Sequence, residues 1–399
     1  MSVYGELKIL RPSYIQAVIQ EFTTDPTQYK GAQFAPVVNT QSPIKWDILM
    51  GATGMVPPVS LNAESPLMEV PGVQTVTFEA AHFRGKVVFT EGDLTELRKP
   101  GTLDQVWGKD IVLRQLAVLN TQIETRIEWA RWKALSGVLP IRGNGLNFDI
   151  DYKIPTRFKP TAAVAWSDTA NADPLSDIAA WKLLMRGTGL KINKIWFTSQ
   201  VEKYLFSNSI IREMVKHQFG RDMVNTGSLT EILRSAIAGI EYEVYDEGYT
   251  IQTQLTVAAA INATSITVAD ATGVEIGDVV VLNKGMGDEC WVTVSGVSET
   301  TLTVSALESA KAVGASASLF KTFIPDDKFI MTGKPPTGNL MDFATVPSAY
   351  SGLDNPKAGK FTKTIDRGND DPPTVEVIGG IYGLPRMYYR CGSVYADVA

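Results

Sequence analysis

LAVLNTQIETRIEWARWKALSGVL, residues 116–139, is the stretch that decides the architecture. Its apolar residues belong to a longer series: Val112, Leu116, Leu119, Ile123, Ile127, Ala130 and Ala134. Steps of three and four residues trace one helical face. The pattern predicts a helix from about Thr102 to Ser136, stopped by Gly137. Gly108 falls inside it, which places the firm start nearer Lys109. At about 1.5 Å per residue, such a helix is on the order of 50 Å long. Asp110–Arg114 and Glu128–Arg131 are favourable pairs along it. The stripe lacks sustained heptads, so a strut against a sheet is expected. Arg126, Arg131 and Lys133 are expected on a solvated face.

Upstream, residues 1–43 read as an arm with a short helix after Pro12 and an extended remainder. Residues 44–93 read as a long hairpin-like excursion. Ile44–Met50 leads out, and Val73–Thr90 returns with Val76, Phe78, Val87 and Phe89 as its buried positions. Between them stand Gly51, Gly54, Pro57, Pro58, Pro66, Pro71 and Gly72, a density of breakers that denotes a loop rather than core. The loop's Met55, Val56, Pro57 and Pro58, with Arg84 and Lys86 on the return, are the candidate inter-subunit contacts.

Downstream of the helix, residues 140–160 read as strands around a Gly143–Gly145 turn. An α/β region follows. Asp173-Pro174 opens a helix, Lys191–Thr198 is a strand, and Ser199/Glu202 and Ser228/Glu231 read as capping boxes. Ile240–Tyr245 is a further strand. Residues 253–319 differ in kind. Short alternating runs at Ser265–Val268, Asp278–Leu282, Trp291–Val294 and Thr301–Val304 suggest a small all-β module. Lys284 and Lys311 stand there against seven carboxylates, a net of −5. Unlike patterns flank it on both sides, so it reads as an insertion. Residues 373–399 return to strands.

The chain has 399 residues, is 44% hydrophobic and 20% charged, and has 37 basic against 43 acidic groups, a net of −6. This is globular composition, which excludes wholesale disorder and collagen. A net acidic chain does not grip nucleic acid through a whole-protein field. No apolar run is long enough for a membrane span, and no secretory signal is visible. Two cysteines, Cys290 and Cys391, exclude a disulfide framework. Cys391 is expected to be buried in an aromatic strand, and Cys290 to be a strand residue of the insertion. Two histidines, His82 and His217, leave little for metal or acid–base work. No Walker A loop and no nucleophile elbow occur. The carboxylate pairs Asp326-Asp327 and Asp370-Asp371 lack a calcium-loop ladder. No enzyme, cofactor or metal is therefore expected. An arm and an excursion that cannot pack locally must find surface on neighbours, which is the logic of a self-assembling shell.

The order of elements resembles that of the major capsid proteins of tailed phages, and specifically the phage lambda major head protein family. Leu116–Leu139 is similar to the family's spine helix. Asp173–Thr198 is similar to its Asp-Pro, helix and strand passage. FIPDDKFIMTG, Phe323–Gly333, is similar to its Pro-Asp turn and strand, and Thr374–Val398 to its closing strands. The resemblance implies an α+β fold shared by tailed-phage and herpesvirus shells. In it, 1–43 is the N-terminal arm, and 44–93 the extended loop lying on an adjacent subunit. Residues 94–160 and 373–399 form the peripheral domain, 161–252 and 320–372 the axial domain, and 253–319 an inserted β domain. It further implies hexamers and pentamers of an icosahedral virion shell around double-stranded DNA, assembled in the host cytoplasm. Portal, scaffold, maturation protease and decoration protein are the implied partners. A tail or baseplate protein and an α/β enzyme are the competing readings. The long helix and α/β region count against the former, and the missing nucleophile motif against the latter.

Overall fold

The expected helix forms as α1, Gln105–Leu135, and it runs through Gly108 without a break. A mid-helix glycine costs only about 1 kcal/mol, which a helix of this length absorbs. Gly137, at φ +93°, closes it in a left-handed conformation that suits glycine. Leu116, Leu119, Ile123, Ile127, Ala130 and Ala134 are all buried, so the stripe is real. The computed structural model describes residues 28–48, 58–60, 64, 74–90, 105–143, 146–219, 226–237, 240–336, 338–351, 356–367, 370 and 374–399. The helix expected after Pro12 and the Gly143–Gly145 turn tip lie outside them.

Contacts divide the chain into two units, Met1–Tyr245 with Asp326–Ala399, and Asp246–Pro325. The first unit holds the strands β1, Val37–Asn39; β2, Ile44–Ile48; β3, Gln74–Phe78; and β4, Ala81–Thr90. β2 and β3 pair as the expected excursion, and Trp46 stacks on Phe78 across it with ring centres 5.8 Å apart. On the return, Phe89 is buried, whereas Val76, Phe78 and Val87 are only half-buried. After α1 comes the hairpin of β5, Val138–Gly143, and β6, Leu146–Asp151.

Next lie α2, Pro174–Leu184; β7, Lys191–Phe197; α3, Ser199–Ser207; α4, Ser209–Phe219; α5, Thr226–Ile237; and β8, Glu241–Val244. Asp173 caps α2 by accepting from the Ser176 N–H at 3.1 Å. The two expected capping boxes sit out of register. Thr198 occupies the N-cap position of α3, and Ser228 lies inside the first turn of α5. α3 starts one residue earlier because β7 ends at Phe197 and leaves Thr198 as the single residue before its first turn.

Asp246–Pro325 is a six-stranded antiparallel sheet. Its strands are β9, Gly248–Gln254; β10, Ser265–Thr267; β11, Val279–Leu282; β12, Cys290–Ser298; β13, Thr301–Val304; and β14, Ser316–Thr322. Leu255, Ile266, Val280, Leu282, Val292, Leu302 and Leu319 are among its own buried core. The unit is wider than 253–319, because β9 and β14 pair along seven residues, from Gln254 with Ser316 to Gly248 with Thr322. Three lysines against nine carboxylates give it −6, the net charge of the entire chain.

The first unit closes with β15, Lys328–Lys334; β16, Met341–Thr345; β17, Lys360–Arg367; β18, Thr374–Met387; and β19, Ser393–Asp397. One sheet has the order β19-β15-β7-β8. In the other, β18 is central. Thr374–Ile381 pairs with both β17 and β4, which therefore flank it on opposite edges. Gly383 pairs with Thr345 and Ala81, so β16 continues on the β17 side, and β1 adds beyond it. Helix α1 braces this sheet. Leu119 sits where Gly85 and Gly379 present no side chain, and a Cβ at either would come within 2.9 Å or 2.8 Å of its methyl groups.

Candidate inter-subunit surface

β4 reads AHFRGKVVFT, and strand alternation sends its side chains to opposite faces. Phe83, Gly85, Val87 and Phe89 share the face braced by α1. His82, Arg84, Lys86, Val88 and Thr90 are exposed on the other. The register extends that second face across the sheet. Arg84 aligns with Gly380 and Phe361, Lys86 with Ile378 and Lys363, Val88 with Glu376 and Ile365, and Thr90 with Thr374 and Arg367.

The result is a basic face. Glu376 is shared by Lys86 at 3.2 Å and Arg367 at 3.3 Å. Asp370 takes Arg367 at 3.5 Å. No ion pair is formed by Arg84 or Lys363 among the described residues. Both lie over the Tyr350 ring instead, at 5.1 Å and 5.6 Å from its centre. Arg84 also donates to the Tyr350 hydroxyl. Tyr350 is itself stacked on buried Phe361, ring centres 5.3 Å apart. His82 stacks on Tyr382 at 3.7 Å. Partial desolvation of the otherwise exposed ring, with the Arg84 charge as a second cause, holds its imidazole below the usual histidine value.

The structure thus brings Arg84 and Lys86 together with Lys363, Arg367 and Tyr350, which sequence reading missed. Of the loop candidates, Met55, Val56 and Pro57 lie outside the described residues, and Pro58 is exposed.

A second cluster fixes the chain at Lys30 and Gly31, within the segment read as the arm. Glu128 is fully buried. Its carboxylate accepts from the Gly31 N–H at 2.7 Å, Trp132 Nε1 at 2.8 Å, the Tyr245 hydroxyl at 2.8 Å and Arg131 at 3.2 Å. Arg131 is therefore buried beside its partner, not on a solvated face. Arg126 lies over the Phe83 and Trp129 rings. Burial raises the Tyr245 hydroxyl pKa, and the Glu128 charge raises it further. Nearby, Glu243 binds Lys30 at 3.0 Å and also Lys194. Its burial favours the neutral acid, but hydrogen bonds from the two lysines outweigh that and hold its pKa below the usual value.

Of the residues with catalytic potential, only His82 lies on the basic face, stacked on Tyr382. His217 is exposed, 3.7 Å from Glu213. Cys290 is buried in the core of Asp246–Pro325, and Cys391 is half-buried, less than expected, because it falls in the turn before β19. No group of three or more His, Cys, Asp or Glu gathers as a metal site among the described residues. No described helix is long and apolar enough to cross a membrane.

A spine helix braced under a sheet, a helix-flanked second sheet, and a β excursion at the sheet edge define the class: the α+β fold of tailed-phage major capsid proteins, with an inserted all-β domain. A protein described as a prophage capsid protein of E. coli CFT073 shares it, with a TM-score of 0.51 and 15% identity over 96% of this chain and 97% of that one. A phage-related protein from Bordetella bronchiseptica RB50 is similar at TM-score 0.45 and 10% identity, over 97% and 96% of the two chains. The capsid of cyanophage P-SCSP1u is similar at 0.41 and 8%, over 92% and 86%. No curated protein matches the chain. The family described as phage major capsid protein E matches residues 26–276, and the chain belongs to it. It is a phage major capsid protein, a structural component of the virion.

Proposed function

We propose that this major capsid protein assembles into hexamers and pentamers of an icosahedral shell that encloses the double-stranded DNA of a tailed phage without reading its sequence. Membership of the capsid family over residues 26–276 carries this reading. Residues 1–43 act as the arm and 44–93 as the loop that lies on a neighbour. Residues 94–160 with 373–399 form the peripheral domain, and 161–252 with 320–372 the axial domain. Met55, Val56, Pro57, Pro58, Arg84 and Lys86 contribute to contacts between copies. The element order also supports a kinship with the phage lambda head protein. Assembly takes place in the host cytoplasm with portal, scaffold and maturation protease, and a decoration protein can join the finished shell. The protein performs no catalysis.

Electron microscopy of the purified chain, alone and with the products of neighbouring genes, tests this. Closed shells or sheets of six-fold rings are expected. Open tubes, or a chain that stays monomeric under both conditions, would overturn it.

A further inference from the structure

The sheet of Asp246–Pro325 buries one face in its own core, through Val280, Leu282, Val292, Ala317 and Leu319. Strand alternation sends Val281, Trp291, Ser316, Ser318, Gln252 and Gln254 to the opposite face. The register sets four of them in one cross-strand row: Gln252 beside Ser318, Ser318 beside Val281, and Val281 beside Trp291. At the usual strand spacing this row is about 15 Å long. Its Gln252 end opens into a cleft of 640 Å³, lined by Gln252, Gln254, Ser316, Ser318, Asp270 and Lys284. At its other end Trp291 is 62% exposed.

The exposed indole is held in place. Its Nε1 donates to Glu289 at 2.8 Å, and the Gly285 N–H donates to the same carboxylate at 2.7 Å. The turn that carries Glu289 is itself anchored. Asp288 accepts from Asn283 at 2.7 Å and from buried Lys311 at 3.0 Å, and Lys311 also donates to Ser309 at 2.9 Å. A large apolar ring fixed in water by a hydrogen bond loses little freedom when a ligand covers it. The cleft end has a different chemistry. The side chains of Gln252, Gln254, Ser316 and Ser318 each offer both a donor and an acceptor. Hydroxyl groups, which also do both, satisfy such a row whichever way they turn. The net charge of −6 on Asp246–Pro325 repels phosphate-rich ligands, and it opposes a second copy of the same unit. An uncharged ligand with many hydroxyls and an apolar ring face fits both ends. A sugar chain has these properties, since the C–H face of a pyranose lies flat on an indole.

We propose that this face of Asp246–Pro325 is a binding site for a neutral oligosaccharide. One sugar ring stacks on Trp291, and the following rings lie along the row with their hydroxyls bonded to Ser318, Gln252, Ser316 and Gln254. The stacked ring supplies apolar area, and the amides and hydroxyls set which sugar fits. The site lies wholly within this unit and does not depend on how copies of the chain assemble.

Titration of the purified full chain with uncharged oligosaccharides tests this, read by tryptophan fluorescence and by calorimetry. The probes are maltohexaose, cellohexaose, mannohexaose, galactohexaose and chitohexaose, with oligogalacturonate as the anionic counterpart. Saturable binding of at least one neutral probe is expected, with a change in tryptophan emission. Trp291→Ala should weaken it by about tenfold, and Trp291→Phe, which keeps a ring to stack on, by less. Gln252→Ala should also weaken it, with the tryptophan response retained. Both side chains are exposed, so an unchanged thermal midpoint in each variant is expected and shows that the fold is intact. Absence of saturable binding by every neutral probe would overturn the proposal. Binding that survives Trp291→Ala unchanged would place the sugar elsewhere and overturn it. Preference for the oligogalacturonate would overturn the neutral class. Self-association that is lost in Trp291→Ala, without any sugar binding, would assign the face to a second copy of the chain and overturn it as well.

Discussion

Gly31 donates its backbone N–H to the Glu128 carboxylate at 2.7 Å, across 97 positions of sequence. This bond ties the segment read as the arm to the C-terminal third of α1. A side chain at position 31 has no room, since a Cβ would stand 2.5 Å from Glu128 Oε2 and 2.9 Å from Arg131 Cδ. The same carboxylate neutralises buried Arg131 and holds the Tyr245 hydroxyl and the Trp132 indole.

Glu128→Ala should cost about 3–5 kcal/mol of stability, because it strands a buried guanidinium and three neutral donors. Glu128→Gln, which keeps the shape and one acceptor, should cost less. Urea unfolding followed by tryptophan fluorescence measures both, and equal losses in the two variants would contradict the role of the charge.

Leu119 and Gly379 should behave as a coupled pair. Gly379→Ala forces a Cβ against the leucine and should cost about 1–3 kcal/mol. Leu119→Ala should cost about 2–5 kcal/mol through the cavity it leaves. In the double variant the smaller residue at 119 gives the new methyl group space, so the combined loss should fall short of the sum of the two. A double-mutant cycle on thermal or urea unfolding reads the coupling.

Asp342 holds Arg386 by two bonds of 2.8 Å and 2.7 Å and accepts from the Tyr388 hydroxyl at 2.7 Å. Burial, with the Asp342 carboxylate as a second cause, pushes the Tyr388 hydroxyl up to about 12. Asp342→Asn leaves the guanidinium without its charge partner and should cost about 3–5 kcal/mol. It should also lower the Tyr388 pKa, visible as earlier ionisation of one tyrosine in alkaline absorbance titration of the variant.

His82 should make stability depend on mild acid. Its imidazole is favoured in the neutral form by partial desolvation and by Arg84. The unfolded chain therefore takes up this proton first, at about pH 6.5. The contribution is whole above that pH and is lost as pH falls through the lower folded value. The thermal midpoint of the unaltered protein should fall more between pH 7 and pH 5 than that of His82→Gln. Parallel pH profiles for the two would exclude His82 as a source.

The α1 stripe was legible because burial there repeats with the helical period, and each of its described positions is indeed covered. β18 was not legible as one strand. Gly379, Gly380, Gly383 and Pro385 look like breakers, yet all sit within a fourteen-residue strand at the centre of its sheet. Each glycine answers a close approach that only the fold creates: Gly379 meets Leu119, Gly380 the Phe83 carbonyl and Gly383 the Ala344 carbonyl. The candidate surface was legible by half. Arg84 and Lys86 show in the alternation of their own strand. Lys363, Arg367 and Tyr350 join them only through a register set with a strand about 290 positions away, as the Lys86–Glu376 pair shows. Local pattern holds no record of such long-range pairing.

The pairing of Gly248 with Thr322 has a consequence for inheritance. The chain leaves and returns to the capsid framework at two points that are neighbours across a ladder, roughly 5 Å apart. A tight turn could therefore close the gap, and a different module with adjacent ends could fill it. A recombination that trades one module for another would change the charge of the subunit while leaving the strands that pair with β18 untouched.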